Sequence, residues 1–371
     1  MKTALITGAD GFMGKNLRVG IGRIPGARVI PFVRSDSEAR LAESLAQADV
    51  VYHLAGVNRP KDVTEFVDVN AGLTRILARA SAALDRKPLI VFASSIQAEL
   101  DNPYGSSKKQ AEEILAEYAG KHGGRVAVYR LPNVFGKWCR PNYNSVVATF
   151  CYNIIHGLDI HVSDPKREIE LVYIDDVVAE FAGHLDGLDA FQGVRFLDVP
   201  RAFRVTLGNL ADRLRELNGM RESLVVPNLE DDFMKCLHAT FLSYLDRDSF
   251  ASPLDVKTDN RGQLAELIKS RQFGQVFVSS TRPGVVRGNH YHDSKVEKFC
   301  VLKGEAVIRF RHVLNGEVLS YPVSGDSFQV VDIPPGYTHS IENTGGDEMI
   351  VLFWANQVFD PDKPDTYSLD V

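Results

Sequence analysis

The sequence predicts an α/β doubly wound parallel sheet followed by an all-β barrel. Three observations predict it. The stretch Thr7–Gly14 (TGADGFMG) places three glycines between a short apolar run and a helical pattern. Further buried-strand runs alternate with helical patterns up to about residue 245. Beyond that point, short strand-like runs follow one another with turn signals and no helices between them.

Size and composition agree with a multidomain globular chain. There are 371 residues, enough for two or three domains, and 44% hydrophobic with 24% charged residues is ordinary for such proteins. No apolar run approaches the roughly 18–20 residues of a membrane span. The opening MKTALITGADG is too briefly apolar for a signal peptide, so no membrane is expected as a partner and the expected location is cytoplasmic. Cys139, Cys151, Cys236 and Cys300 form no C-x-x-C pair and read as reduced thiols. A formal net charge of −6 without a basic block argues against nucleic acid as the partner.

Lys2–Thr7 (KTALIT) reads as a buried strand. Gly8, Gly11 and Gly14 follow at three-residue spacing, with Phe12 and Met13 opening the helix. Glycines let the backbone approach a pyrophosphate, and the helix N-terminus offers free N–H groups and a positive dipole end. The arrangement is that of a Rossmann-type dinucleotide cradle. A second strand, ARVIPFV, ends at Arg34. An acid here would hold the ribose 2′-hydroxyl of NAD, whereas arginine suits the 2′-phosphate of NADP. NADPH is therefore the expected cofactor; Asp36, two residues on, keeps NADH open, and a solvated surface arginine is the plain alternative. Asp49–Gly56 (DVVYHLAG) reads as the fourth strand, where Leu54, the small Ala55 and Gly56 let a cofactor pass. His53 within it reads as structural. Pro88–Ser95 (PLIVFASS) is a further strand ending in hydroxyls.

The next helix carries the chemistry. Ala111, Ile114, Leu115, Tyr118 and Ala119 recur at helical spacing. Tyr104 and Lys108, four apart near its start, share a face. A phenol with a pKa of roughly 10 is a poor proton donor and acceptor near neutrality. A cation one turn away is expected to lower it, and Ser95 is placed to hydrogen-bond the reacting oxygen.

These motifs resemble an extended short-chain dehydrogenase/reductase, the class that handles nucleotide sugars, over residues 1–245. TGADGFMG resembles that family's T-G-x-x-G-F-x-G, DVVYHLAG its fourth-strand motif, and Ser95, Tyr104 and Lys108 its catalytic trio. The resemblance implies that Lys108 also holds the nicotinamide ribose. Arg130–Gly136 (RLPNVFG) resembles the substrate-side R-x-x-N-V-Y-G and nominates Asn133 as a substrate contact. Leu171–Val177 (LVYIDDV) resembles the block before the family's last helices. An arginine shortly before that block often holds the diphosphate; here the nearest, Arg167, stands about two positions early.

A helix over Asp232–Leu245 is expected to end the first domain. A linker is expected over 246–253 and an all-β domain over 254–371. The strand runs there include QVFVSST, EKFCVLKG, EAVIRFRHVL, EVLSYPV, SFQVVDIP and MIVLFWAN, with Asn315-Gly316 as a hairpin signal. Within Gly284–Gly304 (GVVRGNHYHDSKVEKFCVLKG), His290 and His292 are two apart and face one side of a strand. Glu297 starts the next strand, and His339 follows the turn at Pro334–Gly336. Three histidines and a carboxylate suit zinc or another first-row divalent ion.

The spacing Gly284-x5-His290-x-His292-x4-Glu297-x6-Gly304 resembles the first cupin motif at every position. Pro334, Gly336, His339 and Asn343 resemble the second, with Phe328 standing where its leading glycine is expected. The fold class is thus a Rossmann-type sheet followed by a cupin barrel. That fusion is similar, over essentially the whole chain, to the bifunctional enzymes of capsule and O-antigen synthesis. The resemblance implies a UDP-linked 4-keto-6-deoxy-N-acetylhexosamine as substrate and a homodimer. The cupin would invert C3 and the reductase would reduce the C4 ketone with NADPH, giving UDP-N-acetyl-6-deoxy-L-talosamine. Tyr104 would donate a proton to the C4 oxygen. Tyr337, two before His339, is the candidate base. Two alternatives stand beside this: a single-activity 4-ketoreductase whose cupin is structural or dimerising, and a non-enzymatic nucleotide-sensing or scaffold protein. An NAD-retaining dehydratase is disfavoured because Ile96 and Gln97, not acids, follow Ser95.

Overall fold

The structure is a computed structural model that describes residues 2–59, 62, 65–186, 191–314 and 316–371. Its described residues group into two units. One comprises residues up to Arg215 with Cys236–Leu245, the other Glu216–Lys235 with Asp246–Val371. The sequence reading places a boundary at 245; the stretch Glu216–Lys235 crosses it because Val226 N–H donates to the Lys269 carbonyl (2.8 Å) and Lys269 N–H to that of Leu224 (2.8 Å).

In the first unit, strand β1 (Lys2–Thr7) leads into helix α1 (Phe12–Gly22). Strand β2 (Ala27–Phe32), α2 (Glu38–Gln47) and β3 (Val50–His53) follow. Then come α3 (Gly72–Ala82), β4 (Leu89–Ser95), α4 (Pro103–His122), β5 (Arg125–Leu131) and β6 (Asn133–Phe135). Helix α5 (Val146–Ile155), β7 (Glu168–Tyr173), α6 (Ile174–Asp186), β8 (Gly193–Leu197) and β9 (Phe203–Thr206) complete the run, followed by α7 (Leu207–Ser223) and α8 (Asp232–Leu242), whose residues are divided between the two units. The main sheet has the order β2-β1-β3-β4-β5-β8, and its strands pair in parallel. Alternate residues feed two cores: Ile6, Tyr52, Val91 and Tyr129 on one face, Leu5, Val51, Ile90 and Val128 on the other. Both faces are buried, which is why these strands read as continuous apolar runs.

One strand assignment needs correcting. DVVYHLAG forms the third strand of the chain, not the fourth, because α2 runs directly into β3 with no strand after β2. Strand β2 therefore lies at the sheet edge, and Pro31 within it removes one ladder donor there.

The second unit holds β10 (Val256–Asp259), β11 (Gly262–Ser270), β12 (Gly274–Thr281), β13 (Val286–Tyr291) and β14 (Glu297–Lys303). It continues with β15 (Glu305–His312), β16 (Val318–Ser324), β17 (Val330–Ile333), β18 (Tyr337–Asn343), β19 (Met349–Ala355) and β20 (Tyr367–Ser368). These form two antiparallel sheets, β10-β11-β12-β19-β14-β17 and β16-β15-β18-β13-β20. The expected barrel is thus seen as two sheets, not one closed ladder, and short strands such as β10, β17 and β20 end them. Phe299, Val301, Ile308, Phe310, Ile341 and Phe353 form the core of this unit. The hairpin signal falls partly outside the described residues at Asn315; Gly316 has φ +71°.

Among the described residues no helix is long and apolar enough to cross a membrane. All four cysteines are free thiols.

Candidate active sites

The glycine turn is shaped by close approach. Gly8 has φ +69°, and a Cβ there would meet Ala55 backbone at 2.9 Å. A Cβ on Gly14 would lie 2.2 Å from the Gly8 carbonyl oxygen, so only glycine lets α1 start this near the turn. A cavity of about 480 Å³ opens over this cradle. Its walls include Gly8, Gly11, Phe12, Met13, Gly14 and Leu54, and also Ser95, Tyr104, Lys108 and Asn133. The structure thus brings most of the sequence-selected residues of this unit to one cavity.

Helix α4 sets the reactive pair. Asn102 caps it by accepting from the Gly105 N–H (2.9 Å), and Pro103 occupies the first turn. A Cβ on Gly105 would fall 2.1 Å from the Gln97 carbonyl oxygen, so glycine lets the helix press against the turn after Ser95. Lys108 Nζ is buried, donates to the Ala93 carbonyl (2.9 Å) and lies 5.0 Å over the Phe92 ring. Burial lowers its pKa to about 8, with Glu112 opposing. Glu112 in turn accepts from Ser94 Oγ (2.5 Å) and from Arg130 (3.0 and 2.7 Å).

Burial raises the Tyr104 phenol, and a hydrogen bond with the Ser95 hydroxyl works against that rise. Lys108 is not among the groups that set this shift; its ammonium is directed at Ala93. Ser95 is the group that favours the phenolate in this balance.

Other expectations divide. Arg34 is exposed just past β2 and does not line the cavity. Asp36 is turned back onto its own chain, accepting from the Val33 N–H (2.8 Å) and pairing with Arg40 (3.1 Å). Asn133 donates to the Glu170 carbonyl (3.2 Å) on the cavity wall. Arg167 is exposed on the turn before β7, outside the cavity lining. The cavity has Arg140 instead, stacked 5.1 Å from the Tyr143 ring, together with Trp138 and Cys139. Sequence reasoning passed over this loop; its signal was the aromatic and cationic density of Lys137–Tyr143.

In the second unit His290, His292, Glu297 and His339 offer ligand atoms all within 4.8 Å of one another. Register explains it. His290 and His339 are paired across β13 and β18 in one sheet. Glu297 faces inward from β14 in the other. A bulge between Gly288 and His290, with Gly288 at φ +100° and Asn289 at +58°, turns the end of β13. His292 lies just beyond that strand, its ring 5.0 Å from that of His290.

The cluster suits a divalent cation. His292 Nε2 and His339 Nε2 stand 3.4 and 3.5 Å from Glu297 Oε2. His292 Nε2 and both nitrogens of His339 are buried without a hydrogen-bond partner, an arrangement costing about 1–3 kcal/mol per group unless a ligand compensates. Burial, then His339 and His292, bring His290 down to about 4, leaving a neutral imidazole at pH 7. Burial alone would raise the Glu297 carboxyl, but His292 and His339 hold it well below the usual range. A neutral His290 beside an ionised Glu297 is the kind of protonation state metal binding requires.

Tyr337 lies beside a second cavity of about 590 Å³ with Phe310, Tyr321, Gln329, Val331 and Asp332. Its ring meets His312 edge-on at 4.9 Å. Phe310, on the wall, is the cross-strand neighbour of His339.

Comparison with known proteins agrees with this division. Residues 4–186 match the NAD dependent epimerase/dehydratase family, and 257–367 match the polysaccharide biosynthesis C-terminal domain. A UDP-2-acetamido-2,6-beta-L-arabino-hexul-4-ose reductase of Pseudomonas aeruginosa is 43% identical, covering 99% of this chain and 98% of its own. The crystal structure of the capsular polysaccharide assembling protein CapF from Staphylococcus aureus superposes with a TM-score of 0.90 at 46% identity. It covers 99% of this chain and 100% of that one. A UDP-glucuronic acid 4-epimerase from Bacillus cereus shares the fold at 17% identity and TM-score 0.53, over 58% of this chain and 83% of that one.

Proposed function

The chain belongs to the family of the UDP-2-acetamido-2,6-beta-L-arabino-hexul-4-ose reductases and CapF, and from that premise we propose a bifunctional nucleotide-sugar enzyme. Its substrate is a UDP-linked 2-acetamido-2,6-dideoxy-4-hexulose. The second unit epimerises C3, and the first reduces the C4 ketone with NADPH. The product is UDP-N-acetyl-6-deoxy-L-talosamine for a surface polysaccharide. The observation carrying this reading is that the first unit holds a cavity lined by Ser95, Tyr104 and Lys108, while the second holds its own His–Glu cluster and a cavity lined by Tyr337.

In the reductase cavity, Tyr104 donates its phenolic proton to the C4 oxygen as that oxygen gains charge. Ser95 orients the carbonyl and stabilises the phenolate left behind. Lys108 holds its ammonium beside Gly56 and Ala93, where it meets the cofactor's ribose. Bound NADPH supplies the hydride. The glycine turn and the N-terminus of α1 receive the pyrophosphate. With Asp36 engaged by Arg40, the exposed Arg34 is left to favour a 2′-phosphate over a free hydroxyl. Asn133 contacts the sugar, while Arg140 is better placed than Arg167 to meet the diphosphate.

In the second unit the C3 proton is acidic because it neighbours a ketone. Tyr337 takes part in moving that proton, and return to the opposite face of C3 gives the epimer. His290, His292, Glu297 and His339 hold a divalent cation, zinc by ligand type, which supplies positive charge to the site. Epimerisation alone is reversible; reduction at C4 traps one epimer.

One observation favours a narrower reading, a 4-ketoreductase with a structural metal. His292, Glu297 and His339 are all at least nine-tenths buried, as ligands of closed structural sites are. Product NMR separates the two. With keto-sugar and NADPH the full chain is expected to give a single alcohol inverted at C3; an alcohol with retained C3 configuration overturns the bifunctional reading.

A further inference from the structure

One imidazole of the cluster is held by a segment far away in sequence. His292 Nδ1 lies 2.6 Å from the main-chain carbonyl oxygen of Asp365, 73 positions downstream. A carbonyl only accepts, so Nδ1 carries the proton. Nε2, 3.4 Å from Glu297 Oε2, is then the nitrogen left to face the cluster.

The Asp365 side chain determines where that carbonyl sits. Its carboxylate accepts from the N–H groups of Asp293 (3.0 Å), Ser294 (3.0 Å) and Lys295 (2.7 Å), and from Ser294 Oγ (2.8 Å). The loop between His292 and Glu297 is thereby tied at three successive residues. Lys295, itself buried, donates back to the Pro364 carbonyl (3.2 Å) and Thr366 Oγ1 (2.9 Å). Asp365 has φ +40°, a left-handed backbone that a non-glycine residue adopts at a cost of about 1–3 kcal/mol unless its surroundings hold it.

The same segment continues onto the other ligand strands. Tyr367 and Ser368 pair with Tyr291 and His290 of β13. Leu369 N–H donates to the Asn289 carbonyl (3.0 Å), and the Leu369 carbonyl accepts from Thr338 Oγ1 next to His339.

We propose that Pro364–Leu369 is a strap over the cluster, with Asp365 as a positioning residue. It sets the tautomer of His292 and fixes the loop so that Nε2 is presented to a divalent cation. The metal arm rests on the metal reading above; the tautomer arm does not. Groups that orient a ligating imidazole in this way typically account for about 10–100-fold in metal affinity.

The test uses the full chain labelled with 15N-histidine and freed of metal, with His292→Gln assigning the resonance. His292 is expected as the Nδ1–H tautomer in the parent and as a mixture in Asp365→Ala. Zinc affinity, read by competition with a chromophoric chelator, is expected to fall about 10–100-fold in that variant. Asp365→Asn tolerates the left-handed backbone and keeps one acceptor, so its loss is expected to be smaller. It carries the test if Asp365→Ala does not fold. NADPH binding in the other unit is expected to be unchanged in both. An Nε2–H tautomer in the parent, or a variant that keeps both the tautomer and the parent's zinc affinity, overturns the strap. A parent that shows the Nδ1–H tautomer, loses it on substitution and takes up no zinc supports the strap and removes the metal reading.

Discussion

In the α/β unit the reactive cluster is satisfied by the protein itself: Lys108 donates to Ala93, Tyr104 bonds Ser95, and Glu112 is held by Ser94 and Arg130. In the β unit the opposite holds, for His292 Nε2 and both nitrogens of His339 are buried without a hydrogen bond, Glu297 Oε2 standing 3.4 and 3.5 Å from the two Nε2 atoms. The difference teaches what each site awaits. A satisfied cluster is preorganised for a reaction on a bound substrate, with its pKa values set by burial and neighbours. An unsatisfied buried cluster is organised for an ion, because only a ligand offsets the desolvation of its lone pairs.

The largest expected effect falls on the satisfied site. Tyr104→Phe removes the proton donor and should lower kcat for NADPH oxidation about 10²–10⁴-fold, with NADPH affinity unchanged by fluorescence titration. A smaller effect on turnover would show that another group carries the proton. Tyr337→Phe probes the other side. It should slow C3 proton exchange by about 10²-fold while leaving metal content unchanged, measured by NMR in deuterated water and by elemental analysis. An undiminished exchange rate would move the base elsewhere in the unit.

Cofactor choice sharpens the comparison next. Arg34→Ala should raise KM for NADPH about 10-fold, the loss of roughly one charge-assisted bond, and leave KM for NADH within about 2-fold. Equal changes for both cofactors would remove Arg34 from the 2′-phosphate. The smallest effect is that of pH. Lys108 has a folded pKa of about 8, below that of a free lysine. Its ammonium dominates below that value and the amine above it, so kcat/KM for reduction should decline as pH rises through about 8. Activity that stays flat to pH 9.5 would show that the charge is not needed.

Sequence legibility followed the range of the interactions. The cradle at Gly8–Gly14 and the pair Tyr104–Lys108 are local in sequence, so spacing revealed them. The four-residue cluster was also legible from its spacing, although it is a bulge in β13 and the pairing of His290 with His339 that complete it beside Glu297. What spacing could not show were long-range ties. The Asp365 contact to His292 spans 73 positions. The direction taken by the Lys108 ammonium depends on β4, and the burial that raises the Tyr104 phenol depends on the packed fold. Strand β11 (GQLAELIKS) escaped notice because Ala, Glu, Leu and Lys favour helix locally, whereas pairing with β12 imposes a strand. Arg167 was selected by proximity to a motif, and the turn before β7 points the chain elsewhere.

The central claim is that two separate clusters act in succession, and crossed variants test it most directly. Keto-sugar is incubated in deuterated water with Tyr104→Phe and, separately, with His339→Ala, each as the full chain, and deuterium at C3 is read by NMR. The account predicts C3 exchange without reduction in Tyr104→Phe. In His339→Ala it predicts metal loss and no exchange, with NADPH still bound. Exchange that disappears with Tyr104 and survives the loss of His339 would place both steps in one cavity and contradict the account.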